Sequence, residues 1–140
     1  MKRFMTLCAC ALALAMTTLG EPKELKQPTP QEVALIEAAA PAKAAAAPKR
    51  PRKVLVVNQC EGFVHSAVPY GAQAFEILGR KTGAFTTRTV SDLSILETPE
   101  FDTFDAVIMN NTTLRLPLLE GADEAREAKA EQRFVDFVRS

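Results

Sequence analysis

The sequence predicts an α/β fold in which a parallel β-sheet is covered by helices on both faces. Three observations carry that prediction. Two short apolar runs, KVLVVN at 53–58 and DAVIMN at 105–110, have the look of strands buried on both sides. Apolar residues recur at helical spacing in the stretches that follow each run. The resulting order is strand, helix, strand, short helix, strand, loop, helix, which demands right-handed crossovers between parallel strands.

Each element has its own local reason. The first strand begins at Lys53, after the Pro51-Arg52 punctuation. Ser66 is placed to N-cap the next helix, with Pro69 tolerated in its first turn. Val68, Ala72, Phe75 and Leu78 form that helix's apolar stripe, flanked by Ala74 and Ile77, and Gly79 and Gly83 offer stops. Residues 85–90 (FTTRTV) are β-branched and alternating, a second strand nearer an edge. A helical turn is expected at 98–101, after Leu93–Leu96. The third strand follows at 105–110. From Gly121 the chain reads as helix, with Ala130, Phe134, Phe137 and Val138 on one face and a solvated run of alternating charges at 124–133. The strand at 54–57 should be central, with the second strand on one side and the third on the other.

Residues 21–52 differ in kind. They hold six of the nine prolines, most of an alanine run and no aromatic residue, the composition of a linker that cannot bury enough surface to order itself. One helix is possible inside it. Thr29-Pro30-Gln31-Glu32 has capping-box spacing with Pro at the first helical position, and Pro41 would end the helix. Alone in water such a helix is marginal.

In a sheet of flavodoxin-like order, ligands sit beyond the carboxyl ends of the strands, where the strand order reverses. The first and third strands flank that point. Both run straight into polar residues here: Asn58-Gln59-Cys60-Glu61 after one, Asn110-Asn111-Thr112-Thr113 after the other. The pieces KVLVV, EGFVHSAVPYGAQAFEILG, TVSDLS and FDAVIMNNTT together resemble the ThuA-like (trehalose utilisation) family, over residues 53–140. The resemblance implies a flavodoxin-like, class I glutamine amidotransferase-like fold and a link to disaccharide or sugar-derivative metabolism. It also implies an incomplete domain, truncated after about three strands, because the chain stops at FVDFVRS where such a domain would turn through a glycine-rich loop into its next strand. The nucleophile elbow of the amidotransferase-like enzymes would lie beyond that point. An enzyme of doubtful activity and a non-catalytic sugar-binding or interaction module are both consistent with this.

The candidate residues each read two ways. His65, the single histidine, can act as a general acid or base, or can hydrogen-bond the backbone at the helix start. Glu61 can pair with it as a carboxylate base or lie solvated in the loop. Cys60 is a candidate thiolate or a small buried filler. Asn58, Asn110, Asn111 and Thr112 carry the bidirectional groups that sugar hydroxyls require, while asparagine also tolerates left-handed backbone at a strand end. Tyr70 can bring its hydroxyl to the crevice or pack in the core. With one histidine and one nearby carboxylate, no metal site is expected, and no cofactor.

The N-terminus predicts export to the periplasm or the extracellular space. Lys2 and Arg3 precede an uncharged apolar segment at 7–16, and Thr18-Leu19-Gly20 suits cleavage after Gly20. The segment is shorter than the roughly 20 residues a span needs, so no membrane span should persist after cleavage; an uncleaved anchor and a lipoprotein are the alternatives. The domains expected are therefore a signal peptide at 1–20, a linker at 21–52 and a partial α/β domain at 53–140. Cleavage would remove Cys8 and Cys10, leaving Cys60 without a disulfide partner in the chain. Seventeen basic residues balance seventeen acidic ones, but unevenly: residues 21–52 are mildly basic and 53–140 carry an acidic excess, which argues against a nucleic-acid surface. A small carbohydrate is the expected partner, and the oligomeric state is left open.

Overall fold

The computed structural model describes residues 25–60, 62–112, 119 and 121–140. The expected signal peptide at 1–20, Glu61 and Thr113 lie outside the described residues. The elements are α1 (Pro30–Ala39), β1 (Lys53–Val57), α2 (Val68–Thr82), β2 (Thr86–Val90), β3 (Ala106–Met109) and α3 (Glu124–Arg139). Two short 3-10 helices, Ser94–Glu97 and Pro99–Thr103, connect β2 to β3.

The sheet is parallel, in the order β2-β1-β3. Lys53 stands opposite Thr86, and Val54 opposite Ala106. Four consecutive residues of β1 are buried, as a central strand covered on both faces must be. Alternation then sorts them. Leu55 and Val57 join Leu93, Leu96, Phe101 and Ala130 in one core, with Phe134 and Phe137 packed against it, so α3 and the 3-10 helices cover that face. Val54 and Val56 point to the opposite face, which α2 covers through Val68 and Ile77. This is the flavodoxin-like α/β arrangement, with helices on both sides.

Several local details depart from the expectation. Ser66 does not cap α2; the cap position is Ala67, which has no side-chain oxygen, and the helix starts one residue later. Gly79 does not stop the helix but lies inside it. A Cβ there would come within 2.5 Å of the Phe85 carbonyl, so the glycine permits α2 to press close to the chain entering β2. Gly83, left-handed at φ 65°, is the stop. Val138 is 70% exposed, while Ala130, Phe134 and Phe137 face the core as expected. The charged run of α3 is not only a solvated face. Arg133 donates to the carbonyls of Leu96 (2.6 Å) and Thr98 (2.9 Å) and to Asp102 (2.8 Å), while its guanidinium lies 5.7 Å from the Phe101 ring centre. It staples α3 to the 3-10 helices.

The largest difference concerns α1. Its capping box forms as read from the sequence: the Glu32 amide donates to the Thr29 hydroxyl, and the Thr29 amide donates to the Glu32 carboxylate. The helix does not stand free in a linker, however; it docks on α2. The Tyr70 hydroxyl donates to Glu32 at 2.9 Å, and Arg80 donates twice to Glu37 (2.8 and 3.2 Å). Lys81 donates to the carbonyls of Glu37 and Ala40, closing the carboxyl end of α1. No α1 residue is fully buried and Leu35 is 70% exposed, so the helix is held by these polar contacts together with the half-buried Val33 and Ile36 rather than by a deep shared core.

Glu32 links the cap to the docking, which gives the arrangement a pH dependence. The Thr29 amide, then the Thr29 and Tyr70 hydroxyls, hold its carboxyl at about 2 instead of the usual 4.5. A depressed carboxylate stabilises the folded form fully above its free value, and that contribution is lost as pH falls through the folded value. The protection factors of the amides at 31–39, taken against the intrinsic exchange rate at each pH, should therefore hold down to about pH 4.5 and fall as pH drops toward 2. A Glu32→Gln variant should already exchange faster at neutral pH, and exchange insensitive to both changes would contradict this coupling.

Candidate functional site

The carboxyl ends of β1 and β3 are joined by a single buried amide. Asn110 is only 4% exposed, and its Nδ2 donates to Asn58 Oδ1 (2.7 Å) and to the Val68 carbonyl (2.8 Å). Its Oδ1 accepts from Asn111 Nδ2 at 3.0 Å. One side chain thus ties the end of β1, the start of α2 and the residue after itself. The site is made for it, because a Cβ on Gly71 would collide with the Asn110 amide. Both donors of Asn110 are committed inside the protein, so it holds the rim together rather than presenting donors to a ligand.

Its neighbours follow from that. Asn111 adopts left-handed backbone at φ 53°, which asparagine tolerates better than most residues. Its carbonyl accepts the Cys60 thiol at 3.2 Å, linking the two rim loops. Cys60 is half-buried and not in a disulfide. Thr112 is half-buried beside them.

His65 is exposed, and its Nδ1 accepts the Ala67 amide at 3.0 Å. The imidazole thereby closes the turn that leads into α2, whose own N-cap makes no side-chain bond. The bond requires a lone pair on Nδ1, so the ring carries its proton on Nε2. Phe63, 74% exposed, meets the His65 ring edge-on at 6.0 Å between centres. Tyr70 is turned to another task. Its hydroxyl is bound to Glu32 of α1, which raises its pKa, first through that hydrogen bond and then through burial. The structure therefore gathers Asn58, Asn110 and Asn111 into one hydrogen-bonded cluster with Cys60, and commits Tyr70 to α1.

A concave space lies on the other side of β1. A cleft of about 370 Å³ opens beyond the carboxyl ends of β1 and β2. Asn58, Thr89 and Ser91 line it from the sheet, Ala72, Gln73 and Glu76 from α2, and Leu25 and Gln27 from the segment before α1. Sequence reasoning aimed at the β1–β3 rim and passed over Gln73, Glu76, Thr89 and Ser91. The signal for them is present: Gln73 and Glu76 are three apart on one helix, and the polar Thr89 and Ser91 flank Val90 at the end of β2. Among the described residues, Glu76 is the one ionisable side chain lining the cleft, which therefore favours a neutral or cationic guest.

Among the described residues, no three His, Cys, Asp or Glu side chains gather where they could hold a metal ion, and no helix is long and apolar enough to cross a membrane. No family model, curated protein or solved structure matches the chain.

The structural role of Asn110 can be measured. Asn110→Ala leaves buried acceptors without donors and should cost about 2 kcal/mol, or roughly 10 °C in Tm. Asn110→Asp should cost more, because a carboxylate would face two acceptor oxygens. Gly71→Ala should cost about 1–3 kcal/mol by overpacking. The double variant Gly71→Ala/Asn110→Ala should lose less than the sum, since truncation removes the collision. Full additivity in thermal unfolding would show that the two residues do not share one site.

Proposed function

We propose that this chain is an exported ThuA-like protein that binds a small carbohydrate at the carboxyl end of its sheet without turning it over. The observation that carries the reading is the cleft beside β1, whose described lining offers amide, hydroxyl and carboxylate groups and no basic residue. Sugar hydroxyls both donate and accept, so they need such a mixture, and Val68, Pro69 and Ala72 offer apolar surface for a ring face. The link to trehalose or a sugar derivative comes from the resemblance of KVLVV, EGFVHSAVPYGAQAFEILG and FDAVIMNNTT to the ThuA-like family. Export comes from the charged and apolar pattern of the first twenty residues.

Binding is favoured over turnover for a specific reason. Of the candidate catalytic and substrate-binding side chains, His65 has one ring nitrogen committed to the backbone, Asn110 has both donors committed, and Tyr70 donates to Glu32. A catalytic group engaged in holding the fold is poorly placed to exchange protons with a substrate.

Titration of the isotopically labelled chain with glucose and with trehalose tests this. Amide shifts should move at Asn58, Gln73, Glu76 and Ser91, and the sugar should be recovered unchanged. Gln73→Ala should weaken binding about fivefold, the worth of one hydrogen bond of about 1 kcal/mol. Shifts confined to residues 62–65, or hydrolysis of trehalose that His65→Ala abolishes, would replace the binding reading with a catalytic one.

A further inference from the structure

The segment before β1 contributes to the cleft in a way that its linker-like composition conceals. Leu25 and Gln27 line the cleft, and Gln27 Nε2 donates to the Leu25 carbonyl at 3.3 Å, folding this short stretch on itself. Only Pro28 and Thr29 separate Gln27 from α1. Wherever α1 goes, Leu25 and Gln27 must follow. Without them the cleft keeps two walls, α2 and the strand ends, and becomes an open groove.

The attachment of α1 is suited to release. It rests on the Tyr70–Glu32, Arg80–Glu37 and Lys81–carbonyl contacts, with no α1 side chain buried in the core. The Arg80–Glu37 pair is exposed and screened by water, and the Tyr70 and Lys81 bonds are only part-buried, so the set costs less to exchange for solvent than a buried core would. Residues 41–49, between α1 and the Arg50 and Arg52 contacts to Asp105, form neither helix nor strand, so α1 can leave without pulling on the sheet. A docked element, a weak polar latch and an irregular tether together make a movable wall.

We infer that residues 25–40 are a strap acting in cis, which docks on α2 to form one wall of the cleft and controls access to it. That the guest is a sugar rests on the function proposed above, whereas the wall itself can be tested with no ligand present.

The experiment follows the labelling of a cysteine placed on the cleft floor, Ala72→Cys in a Cys60→Ser background of the full chain. A maleimide reacts with it, and mass spectrometry of the peptide containing residue 72 separates this label from any on Cys8 or Cys10. Arg80→Ala/Lys81→Ala should raise the labelling rate about tenfold, the effect of losing charge-assisted hydrogen bonds worth roughly one decade. Amide exchange of β1 should stay unchanged in that variant. Equal labelling rates with β1 intact would overturn the inference. Should the double variant unfold, the unmodified chain decides: amides at 31–39 must exchange more slowly than those of an unstructured peptide. Exchange at the unstructured rate would mean that no strap is docked, and the inference would fall. No sugar enters either measurement, so the strap stands or falls independently of the carbohydrate proposal.

Discussion

The side-chain amide of Asn110 is the constraint on which the working end of the molecule depends. β3 is only four residues long, so its ladder with β1 contains few bonds and its ends would fray. Asn110 secures one end by donating to Asn58 and to the Val68 carbonyl. Asp105 secures the other, accepting from the Lys53 amide at 2.8 Å and from Arg52 at 2.9 Å, with Arg50 also paired to it. The two differ in physical character. Asp105, its side chain 10% exposed, relies on the more exposed cations Arg50 and Arg52, which salt can screen, whereas Asn110 makes uncharged bonds in the interior, where an unmade hydrogen bond carries its full desolvation cost. The start of α2 is thus fixed to the sheet through one amide, and the closeness of Gly71 to that amide leaves little room to slide.

This division has a bearing on how the rim can work. Polar side chains after a parallel strand suggest a ligand, yet the same side chains are the cheapest means of closing the backbone ends there. At this rim closure takes most of them: Asn110 through its donors, Asn111 through its turn geometry, His65 through the start of α2. The groups without such duties lie one strand over, on α2 and at the end of β2. Asn58 belongs to both sets, accepting from Asn110 while lining the cleft, and so couples the fixed rim to the open one.

The strands are legible in the sequence because their signal is local. VLVV and AVIM are apolar without interruption, and that pattern has few meanings in a chain with alternating helices. The capping box of α1 is legible for the same reason. What cannot be read is tertiary. Ser66 is a better capping residue than Ala67, but the turn closed by the His65 ring on the Ala67 amide puts Ala67 at the cap position. Gly79 resembles a helix stop until Phe85 is seen against it. The partners of α1 lie roughly forty residues away, and no spacing rule connects Glu32 to Tyr70 or Glu37 to Arg80. At the site, Asn58 and Asn110 carry groups suited to hydroxyls; that they bond to each other depends on strand register, which the sequence does not display.

The parallel pairing of β1 also governs the order of events as the chain folds. β1 is complete by Val57, but its first neighbour begins at Thr86 and its second at Ala106. A hairpin could close within a few residues of synthesis; a strand whose partners are so distant must wait as an apolar ribbon. Until Met109 has emerged, the centre of the sheet has no complete surroundings, and KVLVV remains available to any other edge it meets. For a protein bound for threading through a membrane pore, that delay is an advantage, since a chain slow to close stays pliable. For one released into a crowded compartment, the same interval is when aggregation competes with folding, and a holding chaperone would act on β1 first.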